Sequence, residues 1–100
     1  MTNKDKIKVL IAGLGNMGMS HAIAHHNLER SQIVGLVNRS TIDLPQELSS
    51  YRLFTDFSHA LEVTRPDLVV IATYSDSHAD YACEAMAAGA HVFVEKPLAT

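Results

Sequence analysis

The chain has 100 residues, 47% hydrophobic and 19% charged, with a formal net charge of -3, which suits one small globular domain. After the short start NKDKIK there is no run of Lys or Arg, which argues against nucleic acid or an acidic membrane surface as the main partner. Residues 1–6 hold no signal-peptide core, no apolar stretch is long enough for a membrane span, and the single cysteine, Cys83, suits a reducing compartment, so the cytoplasm is the expected setting.

Apolar residues from Ile7 to Ala12 form a short run ending at Gly13, the pattern of a buried strand. Met17 to Glu29 mixes Met17, Ala22, Ile23, Ala24 and Leu28 with His and Ser, which is acceptable helix material. The segment QIVGLV, Gln32 to Val37, is a second strand candidate. In DLPQELSS, Pro45 suits the first position of a short helical turn. YRLFTDF reads as a third, weaker strand, and Phe57 to Thr64 as a helix capped by Asp56 or Ser58. A fourth strand lies in PDLVVIATY, apolar from Leu68 to Ala72. Ser77 to Ala88 is an alanine-rich helix that Gly89 closes, and HVFVE supplies a fifth strand.

Strands and helices alternating at this spacing predict βαβ units and a parallel sheet. Strands one, four and five are apolar on both faces, as expected of strands covered by helices on both sides. Right-handed crossovers leave few topologies, and the doubly wound order 3-2-1-4-5 is the expected fold.

Four clusters carry the chemistry. GLGNMG, Gly13 to Gly18, follows a predicted strand and opens a predicted helix. Gly13 allows a tight turn, Gly15 lets a pyrophosphate approach the backbone, and Gly18 lets the helix pack on the strand. The free N–H groups at the helix start then face the phosphates. The alternative is a glycine-rich turn that serves packing alone.

The second cluster ends strand two. A carboxylate that holds the adenosine ribose of NAD is expected about 20 residues past the glycines. Counting from Gly18, 38 − 18 = 20 falls on Asn38, followed by Arg39 and Ser40. Asn38 does not repel a 2′-phosphate, Arg39 can pair with it, and Ser40 can donate to it, so NADP is preferred over NAD. A solvated loop with one surface arginine is the alternative.

The third is ATYSDSHAD, where Thr73, Tyr74, Ser75 and His78 follow strand four, beside the crevice that such sheets use for ligands. Asp76 or Ser77 can equally serve as a helix cap. The fourth is HVFVEKPLAT, in which Glu95 and Lys96 stand at the end of strand five and Pro97 fixes the backbone after them. Ordinary surface charges are the competing reading.

Together GLGNMG, VNRS and VVIATYSDSHADYACEAMAAGAHVFVEKPLAT resemble the Gfo/Idh/MocA family of NAD(P)-dependent oxidoreductases, from about Ile7 to Thr100. Thr73, His78 and the EKP triplet lie in that family's order and spacing. The resemblance implies a Rossmann fold, a nicotinamide dinucleotide cofactor and a small-molecule substrate such as a sugar, inositol or related polyol. It implies that Gly13, Gly15, Asn16, Met17 and Gly18 face the pyrophosphate, and that Asn38, Arg39 and Ser40 face the adenosine ribose. Thr73, Tyr74, Ser75 and His78 would border the nicotinamide half, with Glu95, Lys96 and Pro97 beside the nicotinamide ribose and the substrate. Lys96 is the expected catalytic residue. Tyr74 and Ser75 stand where the family often has Pro and Asn, and Asn38 departs from the NAD-type acidic pattern.

Family members continue into a last Rossmann strand and a C-terminal α/β domain that carries most of the substrate pocket and usually a proton-shuttling histidine. Residues 1–100 are therefore expected to be an incomplete dinucleotide-binding domain, truncated before those parts. An apolar fifth strand at what would be a sheet edge, and Thr100 as a cap with no helix after it, agree with this. The whole protein is expected to be a homo-oligomer. A cofactor-sensing module without catalysis is the alternative, which Lys96 disfavours. A methyltransferase of similar fold is disfavoured by Asn38 and the third glycine.

The other notable side chains are expected to be structural. His21, His25, His26, His59 and His91 have no partners at metal-ligand spacing, so no metal site is expected. Cys83 is expected in the core, and Met17, Met19 and Met86 in packing roles.

Overall fold

The computed structural model describes residues 6–13, 22–24, 26–27, 30–38, 43–72 and 77–94. The elements run β1 (Ile7–Ala12), β2 (Ser31–Val37), β3 (Leu53–Phe54), α1 (Phe57–Thr64), β4 (Leu68–Ile71), α2 (Ser77–Ala87) and β5 (His91–Val94). Residues 22–24 and 26 are helical within the expected first helix. The five strands form one sheet in the order β3-β2-β1-β4-β5, and each neighbouring pair is parallel. This is the doubly wound Rossmann arrangement, with the expected strand order.

Side-chain alternation along the central strands divides the core into two layers. Leu10 and Ala12 of β1, with Val69 and Ile71 of β4, face the layer built by α1 and α2. Val9, Ile11 and Val70 face the opposite layer, where Ala22 and Leu48 pack. The α helices meet through Phe57 and Tyr81, whose rings stack with centroids 4.0 Å apart.

Helix ends follow local chemistry. The Asp56 carboxylate caps α1 by accepting from the amides of Ser58 and His59 at 3.0 and 3.4 Å. Arg65 closes that helix in a left-handed conformation, φ 46°, just before Pro66. At the end of α2, Gly89 has φ 90° and its amide donates to the Met86 carbonyl, while the Ala90 amide reaches back to Ala85. These two bonds form a Schellman turn, which aims the chain into β5. Pro45 is the residue before the three-residue 3-10 turn Gln46–Leu48, one place earlier than its expected first-turn position.

Three packing expectations are corrected. Cys83 is exposed rather than in the core, because Tyr81 and Ala85, four apart, set the buried face of α2 and Cys83 lies between them in sequence, on the far side of the helix. Met86, on the same helix, is 58% exposed. β5 is not covered on both faces: Val92 packs against the core, but Phe93 and Val94 are 47% and 38% exposed. The strand has β4 as its neighbour on one side and, among the described residues, forms the border of the sheet.

Candidate functional site

In a doubly wound sheet, ligands bind outside the carboxyl ends of the strands, where the strand order reverses. Here the chain moves outward from β1 to β2 and β3, then crosses back to place β4 on the other side of β1. The reversal therefore lies between the carboxyl ends of β1 and β4. Ala12 and Ile71 are paired there, and the Ala72 amide donates to the Ala12 carbonyl at 2.8 Å.

Gly13 stands at this point with φ 90°, in the left-handed region that favours glycine. Its amide still donates to the Val37 carbonyl at 2.7 Å, so the sheet ladder continues up to the bend. A side chain here would strain the backbone.

Asn38 lies one strand away, half-buried at the end of β2, and its amide donates to the Phe54 carbonyl at 2.9 Å. The edge therefore presents a neutral amide beside the glycine bend, where an NAD-type site would carry a carboxylate. Asp56, just past β3, has its carboxylate engaged in capping α1. A neutral residue at the end of β2 and a side-chain-free residue at the end of β1 therefore meet at the carboxyl edge of the sheet.

The structure thus brings Gly13 and Asn38 to the ends of adjacent strands. His78 is the second residue of α2, the helix that follows β4. Gly15, Asn16, Met17, Gly18, Arg39, Ser40, Thr73, Tyr74, Ser75, Glu95, Lys96 and Pro97 lie outside the described residues, as do Asp76, His21, His25 and Met19. Among the histidines, His26 Nδ1 lies 2.7 Å from the Tyr51 hydroxyl, and the two rings meet edge-on. Among the described residues, no three His, Cys, Asp or Glu side chains gather as a metal site.

Sequence reasoning missed the support beneath Asn38. Gly35 lies in the middle of β2, and the ring of Phe54 fills the place its side chain would take. The signal was present, because a glycine inside a strand marks a bulge or a close approach. Both occur here: β1 passes from pairing Val9 with Ile33 to pairing Leu10 with Gly35, which leaves Val34 as the extra residue.

A glycine bend at the switch point of a parallel sheet defines a Rossmann domain of the dinucleotide-binding class. A family model described as oxidoreductase family, NAD-binding Rossmann fold, matches residues 7–100, and the chain belongs to this Gfo/Idh/MocA family. Among curated relatives, it is 32% identical over 96 residues to a 4-carboxy-2-hydroxymuconate-6-semialdehyde dehydrogenase of a Sphingobium species, covering 93% of this chain and 30% of the relative. It is 28% identical over 107 residues to glycosyl hydrolase family 109 protein 1 of Akkermansia muciniphila, covering 95% of this chain and 22% of the relative. Among solved structures, apo scyllo-inositol dehydrogenase from Lactobacillus casei superposes with a TM-score of 0.79 at 30% identity, over 97% of this chain and 30% of that one. The same enzyme with bound NAD(H) and scyllo-inositol gives 0.75 at 27% identity, over 89% and 27%. The chain therefore spans between a fifth and a third of the length of these relatives.

Proposed function

We propose that this chain is the cofactor-binding part of an NAD(P)-dependent oxidoreductase that moves a hydride between a nicotinamide cofactor and a CH–OH group of a sugar, inositol or related polyol. The observation that carries this reading is the left-handed bend at Gly13, set at the switch point beside the neutral Asn38. The likeness to scyllo-inositol dehydrogenase supports the polyol class. In this reading the substrate-binding domain belongs to another part of the polypeptide.

The nicotinamide, when bound, supplies the hydride acceptor or donor. The chain's own residues bind and orient it. The turn from Gly13 through Gly15, Asn16 and Met17 to Gly18 offers backbone amides to the pyrophosphate. Asn38, Arg39 and Ser40 hold the adenosine ribose and favour a 2′-phosphate, so NADPH binds more tightly than NADH. Thr73, Tyr74, Ser75 and His78 border the nicotinamide half, with Glu95 and Pro97 beside Lys96. A substrate hydroxyl gains negative charge on oxygen as its proton leaves. The Lys96 ammonium stabilises that charge more in the transition state than in the ground state, which raises the rate.

Two measurements on the whole protein test this. Fluorescence titration at low salt is expected to give tighter NADPH than NADH binding, and Arg39→Ala to weaken NADPH binding by about 1–3 kcal/mol while leaving NADH almost unchanged. Equal or tighter NADH binding removes the NADP preference. Lys96→Met is expected to cut polyol turnover by about 100-fold with cofactor affinity nearly intact. Turnover that survives, or that falls only because cofactor no longer binds, removes Lys96 from catalysis.

A further inference from the structure

β3 is only two residues long, yet it carries the peptide on which Asn38 rests. Leu36 and Val37 of β2 pair with Leu53 and Phe54. The Leu36 amide donates to the Arg52 carbonyl at 3.0 Å, and the Asn38 amide to the Phe54 carbonyl at 2.9 Å. So short a strand has little ladder of its own to hold its position. The Phe54 side chain supplies an anchor.

Phe54 is 4% exposed and packs into the core layer under α1. A Cβ built on Gly35 would stand 2.8 Å from Phe54 Cε1 and 3.1 Å from Leu10 Cδ1. The first distance is closer than two carbon atoms can stand without repulsion. The Arg52 guanidinium lies 4.5 Å from the centroid of the same ring, and the His59 ring lies 5.8 Å away. Phe54 is thus seated against the bare backbone of Gly35, with a cation on its ring and an imidazole beside it. Adding a methyl group at residue 35 displaces the ring, and the backbone carbonyl of the same residue, Phe54, accepts from the Asn38 amide.

We propose that Gly35 and Phe54 form a positioning pair that sets where Asn38 stands, and through it the affinity for the adenosine ribose and its 2′ substituent. This rests on the reading that Asn38 faces that ribose. Neither member touches the ligand. The pair acts through the β2–β3 register, on which the Asn38 peptide depends.

The test uses adenosine-side fragments, 5′-AMP and 2′,5′-ADP, titrated calorimetrically into the whole protein below its melting onset. Gly35→Ala is expected to weaken 2′,5′-ADP binding roughly 10-fold, the scale of a sub-ångström misplacement of a binding group. Phe54→Leu, which removes the ring without adding an atom near residue 35, is expected to weaken it by a smaller factor and serves if Gly35→Ala does not fold. Combining the two should cost less than the sum of the single changes, because leucine lacks the Cε1 atom that the new Cβ would meet at 2.8 Å, and the looser approach to Leu10 Cδ1 at 3.1 Å remains. Leu48→Ala, in the opposite core layer, controls for general destabilisation and should lower the melting temperature without changing fragment affinity. Unchanged binding in folded Gly35→Ala or Phe54→Leu, or an equal loss in Leu48→Ala, overturns the positioning role alone. If the unaltered protein binds neither fragment, the dinucleotide reading falls, and the positioning role with it.

Discussion

β1 and β5 are both apolar runs in a parallel sheet, yet they live in different environments. Val9, Leu10, Ile11 and Ala12 of β1 are fully buried. In β5, Phe93 and Val94 are 47% and 38% exposed, and His91 is exposed too. Composition does not separate them; place in the sheet does. β1 has strands on both edges and packed layers on both faces. β5 has β4 on one edge and a core contact through Val92. An apolar run states what a strand tolerates, and the number of its neighbours decides how much of it is buried.

That contrast can be broken by mutation. The largest effect is expected from Ile11→Ala, which removes a fully buried side chain at the sheet centre and should destabilise by about 2–5 kcal/mol in chemical denaturation. Gly89→Ala comes next. Nothing lies within 4 Å of a Cβ placed there, so its cost arises from forcing a φ of 90° on an L-residue, about 1–2 kcal/mol. Phe93→Ala should be smallest in the 100-residue chain, below about 1 kcal/mol. In a longer polypeptide that covers β5, the same change should rise to about 3–5 kcal/mol, the cost of a buried phenylalanine. If Phe93→Ala already costs as much as Ile11→Ala in the 100-residue chain, β5 is not the exposed border described above.

The same distinction explains what the sequence could reveal. Periodicity and end signals are local. They were enough for the helix Phe57–Thr64, with its Asp56 cap one of two candidates, for the Gly89 closure, and, with the handedness of crossovers, for the strand order. Gly13 was legible because a glycine at the junction of a strand and a helix has few other uses. Contacts between distant segments were harder to read. The space at Gly35 is filled by Phe54, nineteen positions further along, and neither residue alone signals that match. The exposure of Cys83 follows from which face of α2 meets the sheet, which its alanine-rich sequence leaves weakly marked. Arg65 closes α1 with a left-handed turn usually given to glycine, so no typical stop residue announced it.

The most direct measurement follows backbone amide NMR shifts of the isotope-labelled protein during NADPH titration. The account predicts the largest changes at Gly13, Asn38 and Ala72, whose amides cross from one strand end to the next at the carboxyl edge. Lys8, Asp67 and His91 are joined at the opposite edge, where the Lys8 amide donates to the Asp67 carboxylate at 3.0 Å and the His91 amide to the Asp67 carbonyl at 2.9 Å. These three should barely move. Saturable shifts centred on Lys8, Asp67 and His91, with Gly13 and Asn38 unchanged, would contradict the placement of the cofactor at the carboxyl edge.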